Sequence, residues 1–567
     1  MNSDLILSTF GKYYKLHTEG YIHIHKLPRS VLIPYCIGLS LKPLVKHGLK
    51  TTTIRMNPPK HLRSFLGQVM KLGYLIQAEF TGAIAHSFVD LYSAPFIRYD
   101  KLSFKEIKNA IETYIYTIET PIRLSSDGLF VNWTLVGDWC TINHEIYHAG
   151  KKISESSTEF LDEIREFNKA LIEVFLKGDA DSRPFAFPIL TIYVNDNFFK
   201  SELAYEFVKL AAERGSLYFL NSKYCPPTSS HAMCCRLILN HNVVEKVCSR
   251  GIWAIPDNTG SIGVVGINLP RLAFECKEES KVFDKLYELL QHGREILRIM
   301  RDRYYKSLYE YGLMPHTYLN YVLNDNGEVN KNFFSSMFST FAVFGIAEYV
   351  SIITNNPHFW NQESKHNIHD AISIETKVLE FINKVTKEFQ SEDNIMYNVE
   401  QDPAESATYR AALLDYEKFP EFREFIPKSI EYESGEEVVV PFYTSQNTPP
   451  YAKWSLDSII EVEARVQKLY TGGVIKHFFF GFEVSTENLM KFIRLLYDKG
   501  LVYWSITPTI TVCLECKNSF TGIYDYCPNC SSDKLEVWSR IIGYYAPLLT
   551  WNPGRKAEFK QRVFLQL

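Results

Sequence analysis

Four cysteines near the C-terminal end have the spacing of a metal site. They form two Cys-x-x-Cys pairs, Cys513 with Cys516 and Cys527 with Cys530, separated by ten residues. Two intervening residues let both sulfurs of a pair reach one metal, and four thiolates suit tetrahedral zinc. Because four protein ligands leave no open position for catalysis, the pattern predicts a structural zinc site. The alternatives are a redox role for one pair and four unrelated buried cysteines.

A glycine follows the second pair within about a dozen residues, in the string Arg-Ile-Ile-Gly-Tyr-Tyr that begins at Arg540. By itself Gly543 indicates a turn or a close approach of the backbone, and Arg-x-x-Gly-Tyr is a weak signal. Its position after a four-cysteine site makes the signal stronger. The chain then continues through Trp-Asn-Pro-Gly-Arg-Lys, which starts at Trp551.

This tail resembles that of the anaerobic (class III) ribonucleoside-triphosphate reductases, which are glycyl-radical enzymes. In that family a structural four-cysteine site precedes a glycyl-radical loop, and the chain ends soon after an Asn-x-Gly-Lys-like segment. The resemblance implies that Gly543 is the radical site. Glycine suits this task, because amide groups on both sides stabilise a radical on its α-carbon and no side chain shields that carbon.

A second cluster of thiols lies in a Pro- and Ser-rich run that starts at Tyr224 and leads to adjacent Cys234 and Cys235, followed by Arg236. Taken alone, the run indicates two packed free cysteines. It is similar to the finger loop of the same family, in which the cysteine of a Met-x-Cys-Arg string becomes a thiyl radical. The resemblance implies that Cys235 is the thiyl site, with Cys234 as the alternative.

Two further positions match active-site residues of the family. Cys36 falls where the family has a second active-site cysteine on the barrel floor, and a buried small residue is its alternative. Ser261 falls beside the substrate where formate-using members commonly carry Asn, so formate and a thiol protein both remain candidates for the reductant. The glycines around Ser261 lack the spacing of a P-loop or of a dinucleotide-binding motif.

The string Pro403-Ala404-Glu405-Ser406 has the features of a helix start that could hold phosphate. Pro403 is well placed as the first helical residue, and the next three residues would present free backbone N–H groups. An ordinary helix start with an acidic first turn is the alternative. The string is similar to the family's Pro-Ala-Glu-Ser segment beside the substrate, which implies that Glu405 approaches the ribose.

Histidines alternate near the N-terminal end, where His23 and His25 would share one face of a strand. A metal site would need a third and a fourth ligand, and the sequence shows none. The surrounding string, which starts at His17, resembles the start of the first barrel strand in the family. We therefore expect these histidines to have structural or supporting roles.

The body that must position these residues has an ordinary globular composition. The chain has 567 residues, of which 46% are hydrophobic and 22% charged, and it is not depleted in apolar residues. A net charge of -4 argues against bulk binding to nucleic acid. The N-terminal residues lack a secretory signal, so we expect a cytoplasmic protein. The apolar run Met337–Thr354 contains Glu348 and is expected to be a buried helix and not a membrane span.

Periodicity predicts an α/β arrangement. A helix over Glu159–Lys177 precedes a buried strand over Phe187–Val194, and further helices are predicted over Lys277–Tyr311 and Leu456–Lys468. The segment Glu431–Ala452 indicates an irregular connection.

The composition changes at about Thr507 to short strands, turns and paired cysteines. We therefore expect a catalytic body over residues 1–506, with the finger loop near 225–240. Residues 507–567 are expected to hold the cysteine site and the radical loop.

The matches fall at residues 17–38, 231–271, 394–410 and 513–562, in the family's order. They imply a ten-stranded α/β barrel of two five-stranded parallel halves, with a small C-terminal zinc ribbon and radical loop. The implied activity is the anaerobic reduction of ribonucleoside triphosphates to 2′-deoxyribonucleoside triphosphates for DNA synthesis. Expected partners are a radical S-adenosylmethionine activating enzyme with an iron–sulfur cluster, dNTP and ATP effectors, and a second copy in a homodimer.

Only sixteen residues precede His17, so the ATP-cone of many relatives is expected to be missing, and with it overall inhibition by dATP. Two other classes are weighed against the reductase. Another glycyl-radical enzyme, such as a formate-lyase-like acyltransferase or a dehydratase, would not be expected to carry the four-cysteine site. A zinc-ribbon nucleic-acid-binding protein should show a basic face, which the net charge does not favour.

Overall fold

The computed structural model describes residues 2–121, 128–142, 144–227, 230–233, 237–240, 258–276, 278–324, 326–402, 405–433 and 436–566. The strands in these ranges, in chain order, are β1 (Ile22–Ile24), β2 (Cys36–Gly38), β3 (Ile84–Ser87), β4 (Val131–Leu135), β5 (Tyr147–His148), β6 (Lys151–Lys152), β7 (Ile189–Val194), β8 (Leu217–Asn221), β9 (Ser230–Met233), β10 (Leu237–Asn240), β11 (Thr259–Asn268), β12 (Met337–Phe344), β13 (Tyr397–Gln401), β14 (Lys428–Glu433), β15 (Glu436–Pro441), β16 (Lys476–Phe480), β17 (Tyr503–Pro508), β18 (Ile510–Cys513), β19 (Ser519–Thr521), β20 (Leu535–Arg540) and β21 (Tyr545–Pro547). The α-helices are Asn2–Phe10, Tyr13–Thr18, Lys42–His47, Leu62–Gln77, Val89–Asp100, Phe104–Glu119, Leu161–Lys177, Glu202–Arg214, Leu269–Glu275, Glu279–Tyr309, Pro315–Thr317, Ile346–Ile353, Lys365–Asp393, Ala407–Lys418, Leu456–Val466, Thr486–Lys499 and Pro553–Gln561.

The strands of the central sheet are buried on both faces, which is typical of parallel strands covered by helices. All six residues of β7 and all eight residues of β12 are buried. The strand order is β13-β12-β11-β2-β3-β4-β7-β8-β17-β16, and β1 pairs antiparallel with β11.

The sheet consists of parallel sets that meet in antiparallel pairs. β2, β3, β4, β7 and β8 run parallel to one another. β11, β12 and β13 form another parallel set, as do β16 and β17, and the pairs β2–β11 and β8–β17 are antiparallel. The outer strands approach each other where Glu400 forms a parallel bridge with Gly473. The expected mixed α/β fold with a large central sheet is confirmed, whereas continuous closure into a barrel stays a prediction.

Helices packed on one face of the sheet determine which strand residues point to the other. The helix Glu279–Tyr309 contacts β11 and β12, and Lys365–Asp393 contacts β13. On β12, Phe341 packs against Phe389 of the latter helix. Because side chains alternate along a strand, Thr340 and Ala342 point the opposite way. We call the face that carries these two residues the inner face.

The segment Met337–Thr354, expected to be one buried helix, is a strand followed by a helix. β12 ends at Phe344, and the helix begins at Ile346. Gly345 between them has φ +70°, a left-handed conformation that glycine adopts without strain. The expectation was wrong because apolar composition does not distinguish a buried strand from a buried helix. Within the described ranges, no helix is both long and apolar enough to cross a membrane.

The other expected helices are confirmed, with ends shifted slightly, as Leu161–Lys177, Glu279–Tyr309 and Leu456–Val466. The expected irregular connection over Glu431–Ala452 was partly wrong, because β14 and β15 form an antiparallel hairpin there. The β-branched run Val438-Val439-Val440 favours a strand.

The expected boundary at residue 507 falls within β17, which belongs to the central sheet. β18 begins at Ile510 and belongs to a small sheet with the order β19-β18-β20-β21. The small sheet therefore follows the central sheet after one intervening residue. The division of the chain into two domains stays a prediction.

Gly345 offers a test of the strand-to-helix turn. An added methyl group would lie 2.5 Å from two side-chain atoms of Pro270, in addition to the left-handed φ. We expect Gly345→Ala to lower the free energy of unfolding by about 2–4 kcal/mol, from backbone strain and overpacking together. The control is Gly312→Ala, with φ +64° and no atom within 4 Å of the methyl group, which should lose about 1 kcal/mol. Equal shifts of the urea unfolding midpoint in both variants would contradict this account.

Candidate active site and metal centre

Cys36 is the first residue of β2 and is 1% exposed. Its sulfur accepts a hydrogen bond from the backbone amide of Ala83, with an N to S distance of 3.1 Å. It packs in a group that we call the Cys36 cluster, which consists of Tyr35, Cys36, Ala83, Ala85, Val264 and Ala342, with Phe130 packed against it. Because Ala342 is an inner-face residue, the thiol of Cys36 belongs to the inner face.

Ser261 lies directly opposite Cys36 in the antiparallel pair of β2 and β11. Opposite residues in such a pair place their side chains on the same face. The hydroxyl of Ser261 is hydrogen-bonded to that of Thr340 at an O to O distance of 2.7 Å, and both side chains are buried. The structure therefore brings together two expected site residues that are far apart in the chain.

The expected finger loop contains a hairpin of β9 and β10, in which Met233 pairs with Leu237. β9 contacts β2, β3 and β4. The hydroxyl of Thr134 on β4 donates to the carbonyl of Ala232 at 3.3 Å. Cys234 and Cys235 lie outside the described residues. The described part of the hairpin therefore lies against the half of the sheet that contains Cys36.

Gly543 lies in a buried loop between β20 and β21. The hydroxyl of Tyr218 on β8 donates to the carbonyl of Gly543 at 2.5 Å. Arg540, the last residue of β20, donates through Nη1 to the same carbonyl at 3.3 Å and to the Tyr218 oxygen at 2.6 Å. The loop is therefore fastened to the central sheet through the carbonyl of the candidate radical residue.

The ring of Phe130 links the Gly543 loop with the Cys36 cluster. Tyr544, the residue after Gly543, packs against Phe130 with ring centroids 5.7 Å apart and against Phe187 at 5.5 Å. Phe130 also packs against the Cys36 cluster. The fold therefore gives the Gly543 loop and the Cys36 cluster a common neighbour.

The segment expected to hold phosphate is described only in part, since Pro403 and Ala404 lie outside the described residues. The helix begins at Ala407, with the exposed Ser406 as its N-cap, which is later than a start at Pro403. Glu405 is half-buried, and its carbonyl accepts a hydrogen bond from the side chain of Asn552 at 2.9 Å. This contact joins the segment before the helix to the C-terminal tail.

Sequence reasoning missed Glu400 as a candidate site residue. It is buried on β13 directly opposite Ala342 of the Cys36 cluster. Neighbouring residues of parallel strands share a face, so the carboxyl group of Glu400 belongs to the inner face. The alternation of Tyr397 and Val399 with Asn398 and Glu400 is the signal that could have found it.

His25 and Asp402 form a second polar group beside the Cys36 cluster. Nε2 of His25 lies 2.7 Å from Oδ1 of Asp402, and both side chains are buried. The His25 ring contacts that of Tyr35, with centroids 5.7 Å apart, and His23 packs edge-on against it at 4.7 Å. Burial lowers the pKa of His23 well below its usual value, so that this ring is neutral. The arrangement agrees with the supporting roles expected of these histidines.

The four C-terminal cysteines lie together at the end of β18 and in the loops that follow. Their sulfur atoms all lie within 4.8 Å of one another. The Cys513–Cys530 and Cys516–Cys527 sulfur pairs are each 3.6 Å apart. Four sulfurs about 2.3 Å from a tetrahedral zinc are about 3.8 Å apart, so this group could bind zinc. In the part of the chain that the structure describes, it is the one group of His, Cys and acidic ligands that could hold a metal.

Comparisons with known proteins agree with this geometry. A family model described as anaerobic ribonucleoside-triphosphate reductase matches residues 6–564. The chain belongs to this family. An anaerobic ribonucleoside-triphosphate reductase of Haemophilus influenzae is 22% identical over 624 aligned positions, which cover 99% of this chain and 81% of the relative. Another from Enterobacteria phage T4 is also 22% identical and covers 97% of this chain and 90% of the relative.

Solved structures of anaerobic ribonucleotide reductases share the fold of this reductase. One described by that name has a TM-score of 0.76 at 20% identity and covers 100% of this chain and 87% of its own. The Thermotoga maritima enzyme in complex with dATP and CTP has a TM-score of 0.74 at 21% identity and covers 98% of this chain and 87% of its own.

Family membership makes this reductase an oxidoreductase that forms 2′-deoxyribonucleoside triphosphates. The family expected from the sequence is therefore confirmed. The comparisons favour neither a different glycyl-radical enzyme nor a zinc-ribbon nucleic-acid-binding protein.

The cysteine group of the reductase can be tested by its metal content. Elemental analysis of purified protein should find one zinc per chain, because four thiolates at this spacing satisfy a tetrahedral ion. Cys516→Ser should lose most of the zinc, since three thiolates remain. Cys140→Ser is the matched control, because Cys140 is buried outside the group beside Asn195 and should keep the zinc. Full zinc content in Cys516→Ser would contradict the assignment.

Proposed function

We propose that Gly543 stores an organic radical and that Cys235, as a thiyl radical, abstracts hydrogen from the ribose of ribonucleoside triphosphates. The observation that carries this proposal is the common neighbour Phe130, which contacts both Tyr544 of the Gly543 loop and the Cys36 cluster. The described part of the finger hairpin, which leads to Cys235, contacts the same strands β2, β3 and β4. Three segments with the expected radical and thiol residues thus converge on one inner face.

Storage begins with removal of one hydrogen atom from the α-carbon of Gly543. The partner for this step is a separate radical S-adenosylmethionine enzyme with an iron–sulfur cluster, as the family resemblance implies. The loop is buried, which protects a carbon radical from water and oxygen between turnovers. We propose that residues 507–567, with a structural zinc, form the unit that presents this loop, and that residues 1–506 form the catalytic body.

In each turnover the Gly543 radical takes the hydrogen atom of the Cys235 thiol, and the resulting thiyl takes the 3′-hydrogen of the ribose. The 2′-hydroxyl is then protonated and leaves as water. The radical at C3′ makes this loss easier than it is from an unactivated ribose. Cys36 assists the reduction at C2′, and the 3′-hydrogen returns from Cys235. The net change consumes two electrons and two protons from the reductant and releases one water.

Substrate contacts are proposed for the segment before the helix Ala407–Lys418. Ala404 and Ser406 would hold the phosphates through their backbone N–H groups, and Pro403, which has no N–H, would fix the start of the segment. Glu405 would approach the ribose. Asn552, which holds the Glu405 carbonyl, also caps the C-terminal helix by accepting from the amide of Arg555 at 3.0 Å. Substrate binding and the C-terminal tail are therefore coupled through one side chain.

Nucleotides are proposed both as substrates and as effectors, and the protein as a homodimer. The Thermotoga maritima complex with dATP and CTP supports nucleotide binding of both kinds. Ser261 is proposed to contact substrate through the inner face that it shares with Cys36. The reductant is either formate, which would be oxidised to carbon dioxide, or a thiol protein, two thiols of which would be oxidised to a disulfide. Isotope release from labelled formate separates the two.

The radical assignments are tested by anaerobic activation followed by electron paramagnetic resonance. The wild type should show a glycyl doublet that Gly543→Ala abolishes. Cys235→Ser should keep the doublet but lose nucleotide reduction by about a thousandfold or more, because the thiyl cannot form. Cys36→Ser should also keep the doublet and lose reduction, whereas the control Cys140→Ser should keep both.

Two results would overturn these assignments. A glycyl doublet that survives Gly543→Ala would place the radical elsewhere. An active Cys235→Ser together with an inactive Cys234→Ser would transfer the thiyl role to Cys234.

A further inference from the structure

We infer that Tyr218 and Arg540 act on the stored radical itself, by donating hydrogen bonds to the carbonyl of Gly543. We call these two side chains the carbonyl clamp. The inference rests on the proposed role of Gly543 as the radical site. It assigns to Tyr218 and Arg540 a positioning and stabilising role that the motif around Gly543 does not reveal.

The clamp is a chain of three groups. Nη1 of Arg540 donates to the Tyr218 oxygen at 2.6 Å, and the Tyr218 hydroxyl donates to the Gly543 carbonyl at 2.5 Å. The same Nη1 also reaches the carbonyl at 3.3 Å. Donation by a cation strengthens the phenol as a donor, because linked hydrogen bonds polarise one another. The Gly543 carbonyl therefore accepts a hydrogen bond from a donor that a cation polarises.

In the part of the chain that the structure describes, no carboxylate forms an ion pair with Arg540. Arg540 is 2% exposed, and its hydrogen-bond partners in the described part of the chain are all neutral oxygens, those of Gly215, Thr507, Tyr218 and Gly543. Its guanidinium also lies over the ring of Tyr218, 4.4 Å from the centroid. Arg562, a buried neighbour on the other side of the loop, instead pairs with Glu558 at 2.9 Å. A buried cation ordinarily has a carboxylate partner of this kind, so hydrogen bonding of Arg540 to neutral oxygens is an unusual arrangement.

Tyr218 cannot turn away from the loop. Its ring is fully buried on β8 and stacks on that of Tyr503, with centroids 5.6 Å apart and an angle of 25°. Tyr503 is itself held by a hydroxyl contact of 3.0 Å with Thr191 of β7. The position of the Tyr218 hydroxyl is therefore set by side chains from three strands of the central sheet, β7, β8 and β17.

The chemistry of a glycyl radical explains the use of such a donor. The unpaired electron at the α-carbon spreads between an electron-donating nitrogen and an electron-withdrawing carbonyl. Hydrogen bonds to the carbonyl oxygen increase its withdrawal, so they stabilise the radical relative to the parent glycine. The equilibrium between the Gly543 radical and the Cys235 thiyl then lies further toward storage on glycine. The phenol keeps its hydrogen, because its O–H bond is stronger than the α-C–H bond of glycine.

The test is electron–nuclear double resonance of the activated enzyme in H₂O and in D₂O. Besides the couplings of the backbone amide protons, which also exchange, the wild-type doublet should carry a proton coupling from the Tyr218 hydroxyl that disappears in D₂O. Tyr218→Phe should lack this additional coupling. The glycyl radical yield of Tyr218→Phe should fall about fivefold, the effect of one lost hydrogen bond. Tyr304→Phe is the matched control, since Tyr304 is equally buried and also donates to a backbone carbonyl, that of Ser30, away from the loop.

The outcomes separate this inference from the proposed function. A doublet that survives Gly543→Ala would overturn the radical site and the clamp together. A doublet that Gly543→Ala abolishes, but whose exchangeable couplings in the wild type all belong to the backbone amides of Gly543 and Tyr544, would overturn the clamp alone. An unchanged coupling in Tyr218→Phe would also overturn it. The search for a coupling beyond those of the backbone amides uses the wild type alone, so the clamp stays testable if Tyr218→Phe does not fold.

Discussion

The guanidinium of Arg540 forms hydrogen bonds with three segments that surround the candidate radical site. It contacts the carbonyl of Gly215 just before β8, the hydroxyl of Thr507 on β17 and the carbonyl of Gly543. β8 and β17 form one of the two antiparallel junctions of the central sheet. A single buried cation therefore fastens the Gly543 loop to the place where the parallel sets meet. Among the described residues, neutral oxygens and the rings of Tyr218 and Tyr545 surround it in place of water.

The other junction lies at β2 and β11, where Cys36 faces Ser261. Both antiparallel junctions thus carry candidate site residues, Cys36 and Ser261 at one and Tyr218 at the other. The strand topology accounts for this placement. Parallel strands are buried on both faces and need helices outside, so polar side chains on their inner face have no contact with bulk water. Ser261, Thr340 and Glu400 occupy such positions, and a fold that needed only stability would fill them with apolar residues.

Aromatic side chains connect these polar groups with the radical loop. Tyr544 packs on Phe130 and Phe187, and Phe130 packs on the Cys36 cluster. The two phenylalanine rings exclude water without supplying a competing proton donor. The Gly543 loop therefore docks on an apolar surface at one side while its carbonyl is held by hydrogen bonds at the other.

The sequence by itself determined the family, the four-cysteine spacing and the identity of Gly543 and Cys36 as candidates, because these depend on residue type over short distances. It also located amphipathic helices such as Leu161–Lys177, whose periodicity is local. It did not separate the strand Met337–Phe344 from a helix, because a run buried on every side has no polar face to mark its period. Only the tertiary structure placed Ser261 opposite Cys36, Glu400 beside Ala342 and Tyr218 on the carbonyl of Gly543. Those relations depend on strand order and register, which are set by the packing of segments that lie tens to hundreds of residues apart in the chain.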